Sequence, residues 1–136
     1  MLSAHFELPP VRASARAARE ELTRLLRGWG DEDDRHAVLL LVSELVTNVV
    51  LHVRSPMTVH VERDDDLLRV QVDDSSLVPP VRREARADRP GGRGLLLLDT
   101  LAGEWGVLTG GSGKSVWFEL RAATSPPLPG GVIDLR

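Results

Sequence analysis

Apolar residues recur at helical spacing in three stretches of the chain. A period of three to four residues gathers them on one face of a helix. The acidic run at residues 31–34 indicates a helix start, because carboxylates stabilise the amide end of the helix dipole. The predicted helices cover residues 11–29, 35–53 and 94–102.

Strands are predicted where polar and apolar residues alternate, or where β-branched and aromatic residues cluster. Three aspartates at residues 64–66 form the turn between two of these strands. The sequence Gly-Gly-Ser-Gly at residues 110–113 forms the turn of a hairpin, because glycine supplies the positive φ angles that a tight turn needs. The predicted strands cover residues 5–8, 57–63, 67–72, 104–109 and 116–120.

The order of these elements indicates the fold class. One strand and two helices are followed by a strand pair, a third helix and the hairpin. Antiparallel strand pairs and helices that need a common surface favour an α/β (α+β) two-layer sandwich, in which helices cover one face of a mixed, largely antiparallel sheet. Residues 75–93 lack a period and contain several prolines and glycines, and a loop of this length is usually functional or disordered.

Length and composition indicate one soluble domain. With 136 residues, of which 42% are hydrophobic and 27% charged, the chain is long enough to bury a core. We assign residues 1–121 to this domain and the Pro- and Gly-rich residues 122–136 to a flexible tail. The start of the chain has no signal-peptide pattern and no apolar run reaches the ~18 residues of a membrane span, so a cytoplasmic protein without a membrane partner is expected.

Charge and cysteine content exclude several kinds of function. The net charge of −3 provides no basic excess to neutralise nucleic-acid phosphates, so direct nucleic-acid binding is not expected. The absence of cysteine excludes disulfides, thiolate catalysis and cysteine-ligated zinc. The remaining candidate chemistry is that of carboxylates, amides, hydroxyls and arginines.

The stretch Gly113-Lys114-Ser115 looks like the end of a phosphate-binding P-loop. That motif requires a glycine five residues before Gly113, where this chain has Leu108, and a helix directly after the serine. The residues that follow Ser115 are β-branched and aromatic and predict a strand. The sequence therefore predicts that no nucleotide phosphate is held at this point.

The second predicted helix carries Glu44, Asn48 and His52 on one stripe, at positions i, i+4 and i+8. One interpretation is the solvated edge of an amphipathic helix. The other is a carboxylate and an amide that line a ligand site, where their oxygens suit Mg²⁺ and Glu44 can activate a hydroxyl or a water. His52 fits packing or a helix-end cation better than a ligand role.

The strand at residues 67–72 leads into Asp74. Leu68, Val70, Val72 and Asp74 alternate onto one face, so Asp74 points inward if that face is the core. Asp74 is then either a turn-initiating aspartate that bonds its own backbone or a carboxylate that accepts a hydrogen bond from the amine of a buried ligand.

Glycines also precede the third predicted helix, at positions 91, 92 and 94. Such glycines can simply punctuate a loop. Alternatively, they allow a phosphate to approach the backbone amides of a helix N-terminus. Five arginines between residues 82 and 93 are either a solvated charged loop or guanidinium groups that close over phosphates.

Taken in order, these features resemble the GHKL (Bergerat-fold) ATPase and kinase superfamily. Within it, the chain is similar to the anti-sigma-factor-type serine/threonine kinases, which have a histidine-kinase-like ATPase domain. The stretch SELVTNVVLH resembles the N-box of that family, and GRGLLLLDTLAGEWGV and GKSVWFEL resemble its closing segments. The resemblance extends over about residues 6–120.

The resemblance implies a role for each matching position. Glu44 would be the general base, Asn48 would bind the Mg²⁺ that bridges the phosphates, and Asp74 would accept the adenine amine. Ser115 would lie near the adenine. Ser76 stands at the first glycine position after the aspartate of the family motif, and Val78 at the second.

The same resemblance places the phosphate-wrapping segment at the start of the third helix, with residues 75–93 as a mobile lid over ATP. The segment consists of Gly92, Arg93, Gly94 and Leu95.

The function implied is that of an ATP- and Mg²⁺-dependent transferase that regulates transcription. It would phosphorylate a serine or threonine of a protein antagonist of the anti-anti-sigma type, or sequester a sigma factor, in a partner-switching circuit, and it would form a homodimer. The alternative is an ATP-fold module with weak or no catalysis that acts by protein contact, and the replacement of glycine at positions 76 and 78 favours it.

Overall fold

The structure is a computed structural model that describes residues 1–75, 92–110 and 113–122, with only the main chain for residues 92–96. Most of the predicted lid, including Ser76, and the tail from residue 123 lie outside the described residues. The elements are β1 Leu2–Leu8, α1 Ala13–Leu25, α2 Glu32–Asn48, a π-helical turn Val49–Val53, β2 Met57–Arg63, β3 Leu67–Asp74, α3 Gly92–Leu101, β4 Glu104–Gly110 and β5 Gly113–Arg121.

The five described strands form one sheet in the order β1-β2-β3-β5-β4. Each of its four strand pairs is antiparallel, so the sheet predicted as mixed and largely antiparallel is antiparallel throughout. One sheet face supplies core residues such as Val61, Val70 and Phe118, and the helices supply others such as Leu22 and Val42. Helices on one face of an antiparallel sheet make this the predicted two-layer α+β fold.

The hairpin turn between β2 and β3 is held by Asp64. Its carboxylate accepts hydrogen bonds from the backbone amides of Leu67, at 2.7 Å, and Asp66, at 2.9 Å. These two bonds, that from Leu67 first, hold the pKa of the Asp64 carboxyl below its usual range. The triple-aspartate turn predicted from the sequence is therefore an aspartate-stabilised turn.

The N-terminus of α2 is fixed by a reciprocal capping box. The Asp34 amide donates to the Asp31 carboxylate at 2.8 Å, and the Asp31 amide donates to the Asp34 carboxylate at 3.0 Å. Both bonds satisfy amides that a helix start leaves without an intrahelical partner. The acidic run thus supplies the first turn of α2 as well as its cap, and the helix begins at Glu32 rather than at the predicted residue 35.

Helix α2 and the π-turn together span the 22 residues Glu32–Val53, long and apolar enough by length and composition to cross a membrane. Core helices of globular folds can have the same length and apolar composition. Here α2 packs against α1, α3 and the sheet, and residues such as Val38, Val42 and Val46 are fully buried.

The predicted second helix does not stay α-helical to its end. From Val49 the chain forms a π-turn, closed by a 2.7 Å hydrogen bond from the Arg54 amide to the Val49 carbonyl. Arg54 then adopts a left-handed conformation, with φ 58° and ψ 40°. This position suits glycine, because a Cβ in the left-handed region lies too close to the carbonyl oxygen.

Replacing Arg54 by glycine is expected to raise the free energy of unfolding by about 0.5–1 kcal/mol, since the relief of left-handed strain exceeds the extra chain entropy of glycine. Urea unfolding followed by circular dichroism measures the change. Arg54→Ala is the matched control, because it removes the side chain and keeps the strain. Equal stability of the two variants would show that the strain is not significant.

Candidate nucleotide-binding site

The ends of three elements meet at one edge of the sheet. The π-turn leads through Arg54 to Ser55, whose hydroxyl accepts a 3.2 Å hydrogen bond from the amide of Ser75. Ser75 directly follows β3, and Ser55 is buried. Strand β5 begins at the same edge, because Lys114 pairs with Asp74 in the sheet register. Asn48 at the end of α2 and Asp74 at the end of β3 therefore approach the same side of the molecule.

Asp74 faces the helix layer. The even-numbered residues of β3, Leu68, Val70 and Val72, are buried and share its face. The Asp74 side chain is 1% exposed, and the Lys114 ammonium lies 3.5 Å from its Oδ2. A charge-assisted hydrogen bond is typically ~2.7–2.9 Å long, so the 3.5 Å separation is a close charge contact rather than a short hydrogen bond.

Lys114 is not among the site residues that the sequence predicts. The structure places it opposite Asp74 on the helix-side face of β5, with its side chain 18% exposed. The signal was present in the alternation of β5, since Lys114, Val116 and Phe118 share one face. The Gly-Lys-Ser stretch opens no helix, as predicted, but it forms the start of β5, which begins at Gly113 rather than at the predicted residue 116.

Ser115 lies on the other face of the sheet. It pairs with Asp73, and the Asp73 carboxylate accepts a 2.9 Å bond from the Gln71 amide and lies 2.9 Å from the His60 imidazole. The structure therefore brings Lys114, and not Ser115, onto the sheet face that carries Asp74. The reason is the two-residue period of a strand, which sends neighbouring side chains to opposite faces.

Glu44 and Asn48 both lie half-buried on α2. Leu41, one turn before Glu44, is fully buried, and α2 has α1 and α3 as neighbours. This environment differs from the freely solvated helix edge that was one interpretation of the sequence. The exposed His52 lies in the π-turn, where each residue advances less around the axis than in an α-helix, so the predicted regular i, i+4, i+8 stripe ends at Asn48.

The predicted phosphate-wrapping segment, Gly92, Arg93, Gly94 and Leu95, forms the first turn of α3, which begins at Gly92 rather than at residue 94. The other end of α3 lies at the far edge of the sheet, where the Gly103 amide donates to the Glu119 carbonyl at 2.9 Å. Ten helical residues rise about 15 Å. The first turn of α3 therefore lies about 15 Å along the helix axis from its last residue.

Gly113 allows β5 to approach the end of β3. A Cβ at this position would overlap the main-chain carbonyl oxygen of Asp74, and the residue has a φ of 157°. Backbone atoms in a paired strand cannot turn away as a flexible side chain can. A glycine at this position is therefore required for the contact between Lys114 and Asp74.

The family model for the histidine kinase-like ATPase domain matches residues 8–120, which is most of the chain. The chain belongs to the histidine kinase-like ATPase family. The match covers every described helix. It also covers most of the sheet, from Leu8 at the end of β1 to Leu120 near the end of β5. No curated protein matches the sequence at a significant level.

Solved structures share this fold. The structure of the RsbU and RsbW domains of Rv1364c from Mycobacterium tuberculosis aligns with a TM-score of 0.68 and 22% identity, over 89% of this chain and 32% of that one. The histidine kinase domain of the EL346 blue-light activated histidine kinase from Erythrobacter litoralis aligns with a TM-score of 0.55 and 20% identity, over 83% and 61%. A further structure of EL346 has a TM-score of 0.52 and 25% identity, over 70% and 32%.

These alignments show the fold, and this chain spans about a third of the Rv1364c structure. Family membership implies ATP binding, usually with Mg²⁺. The residues fit that ligand. Asp74 is a buried carboxylate that can accept a hydrogen bond from an amine, and Glu44 and Asn48 offer the oxygen atoms that Mg²⁺ prefers. Among the described residues, no group of three or more acidic or histidine side chains is arranged to hold a metal ion. Mg²⁺ is commonly held by one or two protein oxygens together with substrate phosphates.

Proposed function

We propose that this protein binds Mg·ATP and transfers the γ-phosphate to a serine or threonine of a protein antagonist in a partner-switching circuit. The observation that carries the proposal is the buried Asp74 carboxylate, which faces the helix layer at the edge where α2 ends. An ionised carboxylate only accepts hydrogen bonds, so it suits a ligand group that donates one. An adenine amine is such a donor, and an RsbW domain occurs in one of the similar structures.

Each residue in the proposed site has a chemical role that suits its position. When bound, Mg·ATP supplies the phosphoryl group and the metal charge that offsets its oxygens. Asp74 would orient the base by accepting a hydrogen bond from its amine. Asn48 would offer its amide oxygen to the metal, and Glu44 would take the proton of the attacking hydroxyl. Phosphoryl transfer depends mainly on positioning and charge neutralisation. The two carboxylates and the amide would supply the positioning, and the bound Mg²⁺ would supply the charge neutralisation.

The supporting experiment is isothermal titration of the protein with Mg·ATP. We expect wild type to bind and Asp74→Asn to bind about 10- to 100-fold more weakly, since a hydrogen bond to a charged group contributes about 1.5–3 kcal/mol. In Asn48→Ala the gain in affinity from added Mg²⁺ should be lost. That substitution is mild for the helix, because alanine is the better helix former.

Asp73→Asn is the matched control for Asp74→Asn. It makes the same chemical change one residue earlier, on the opposite face of the sheet, where Asp73 contacts His60 and Gln71. We expect Asp73→Asn to bind Mg·ATP as wild type does. Absence of wild-type binding at millimolar ATP, or equal loss in both variants, would exclude the proposed site.

The second candidate function is a protein-binding module with this fold and little or no catalysis. One observation favours it: Ser76 and Val78 replace glycines of the family motif. ATP consumption separates the candidates. A protein that binds ATP and consumes none, in the presence or absence of a candidate partner, is the module.

A further inference from the structure

The contact between Lys114 and Asp74 puts a cation inside the proposed base subsite. Lys114 is the only lysine of the chain, and it lies directly across the strand pair from Asp74. Nζ of Lys114 lies 3.5 Å from Oδ2 of Asp74, and the two side chains, 18% and 1% exposed, are more buried than those of the ion pair between Arg69 and Glu119.

Structural stabilisation alone is a weak explanation for this pair. Taking two charges out of water costs about as much as their attraction returns, so a buried ion pair often contributes no more than a well-packed apolar pair. The other cross-strand pair of the sheet with a similar geometry, Arg69 and Glu119 at 3.1 Å, lies on the opposite face and is more exposed. The Lys114 pair faces the helix layer and the proposed ligand.

The two groups have complementary hydrogen-bonding chemistry. The carboxylate of Asp74 only accepts hydrogen bonds, whereas the ammonium of Lys114 only donates them. Side by side on one sheet face, they match a ligand edge on which a donor and an acceptor are adjacent. The amine and the ring nitrogen N1 of adenine form such an edge. The flexible four-carbon stem of lysine allows Nζ to turn from the carboxylate to this nitrogen.

We propose that Lys114 is a specificity-determining residue of the base subsite, which donates a hydrogen bond to the ring nitrogen beside the amine held by Asp74. The assignment rests on the proposed function, because it requires that a purine nucleotide occupies this edge of the sheet. It adds a residue that recognises the base through an atom that Asp74 does not contact. It also explains why the pair lies at the start of β5, at the end of the sheet, rather than in the middle of the core.

The test compares the binding of ATP with that of 1-deaza-ATP, in which a CH group replaces the ring nitrogen. On unaltered protein we expect 1-deaza-ATP to bind about 10-fold more weakly, the usual contribution of one hydrogen bond from a charged donor. In Lys114→Met the two nucleotides should bind equally. Lys114→Arg keeps a donor and should retain most of the preference for ATP.

Arg69→Met is the matched control, because it removes a cation of the same sheet from the opposite face. It should keep the preference of wild type. Equal binding of the two nucleotides by wild type would overturn the assignment of Lys114 and leave ATP binding intact. No binding of either nucleotide would overturn both the assignment and the proposed function. If Lys114→Met does not fold, equal binding of the two nucleotides by wild type still overturns the assignment.

A second readout needs no nucleotide. Urea unfolding of wild type, Lys114→Met, Asp74→Asn and the double variant gives the coupling free energy of the pair. A coupled pair confirms the charge contact in the free protein. Independent, additive effects of the two substitutions would show that the ammonium does not lie beside the carboxylate, and the proposal would then lose its basis.

Discussion

Replacing Glu44 by glutamine is expected to slow the consumption of ATP by about 10²- to 10⁴-fold, the usual contribution of a positioned general base. The substitution keeps the size of the side chain and removes the carboxylate that would take the proton in the proposed reaction. Affinity for Mg·ATP should stay within a few-fold of wild type. Release of phosphate from ATP labelled at the γ position measures the rate, and titration measures the affinity.

Glu32→Gln is the matched control for this prediction. Glu32 belongs to the same helix, and it is an exposed residue of the first turn, more than three turns from Glu44. Its substitution makes the same change of charge and should leave the rate unaltered. A Glu44→Gln protein that consumes ATP as fast as wild type would remove Glu44 from the chemistry, whatever the affinity.

Replacing Gly113 by alanine is expected to lower the free energy of unfolding by about 2–6 kcal/mol. Two effects add: a steric overlap with the Asp74 carbonyl oxygen, which typically costs about 1–3 kcal/mol, and a backbone conformation that residues other than glycine rarely adopt, at a similar cost. Because a domain of this size is stable by only about 5–15 kcal/mol, a shift of this size is a large fraction of the total. Urea unfolding measures it.

The hairpin itself contains the control. Gly110 pairs with Gly113 across the strands, and a Cβ at Gly110 would have nothing within 4 Å. Gly110→Ala should therefore change the stability by less than about 0.5 kcal/mol. Equal effects of the two substitutions would mean that flexibility of the turn, and not the close approach to Asp74, is what Gly113 provides.

Much of the fold could be predicted from the sequence because local patterns and tertiary packing agree. The strand at 57–63 has the predicted bounds, and the alternation of β3 places Asp74 inward as expected. Helix ends were less predictable. The start of α2 depends on a capping box that uses residues of the acidic run, and the change to a π-turn at Val49 leaves no mark in the apolar period.

The site was only partly predictable for a physical reason. Motif matching assigns a role to a position along the chain, whereas the pleat of a strand decides which face that position reaches. Ser115 and Lys114 are neighbours in sequence, yet only Lys114 shares a face with Asp74. The partner of a strand-end carboxylate depends on the register of a distant strand, and no local pattern around Asp74 specifies that register.

The π-turn has a consequence for comparing this chain with its relatives. A turn closed by i→i+5 bonds contains one residue more than an α-helical turn. A relative whose helix stays α-helical needs one residue fewer to reach the equivalent of Ser55. A correct alignment should then give the relative a single-residue gap after Asn48. An alignment without this gap would shift the two sequences by one residue between the helix and the following strand.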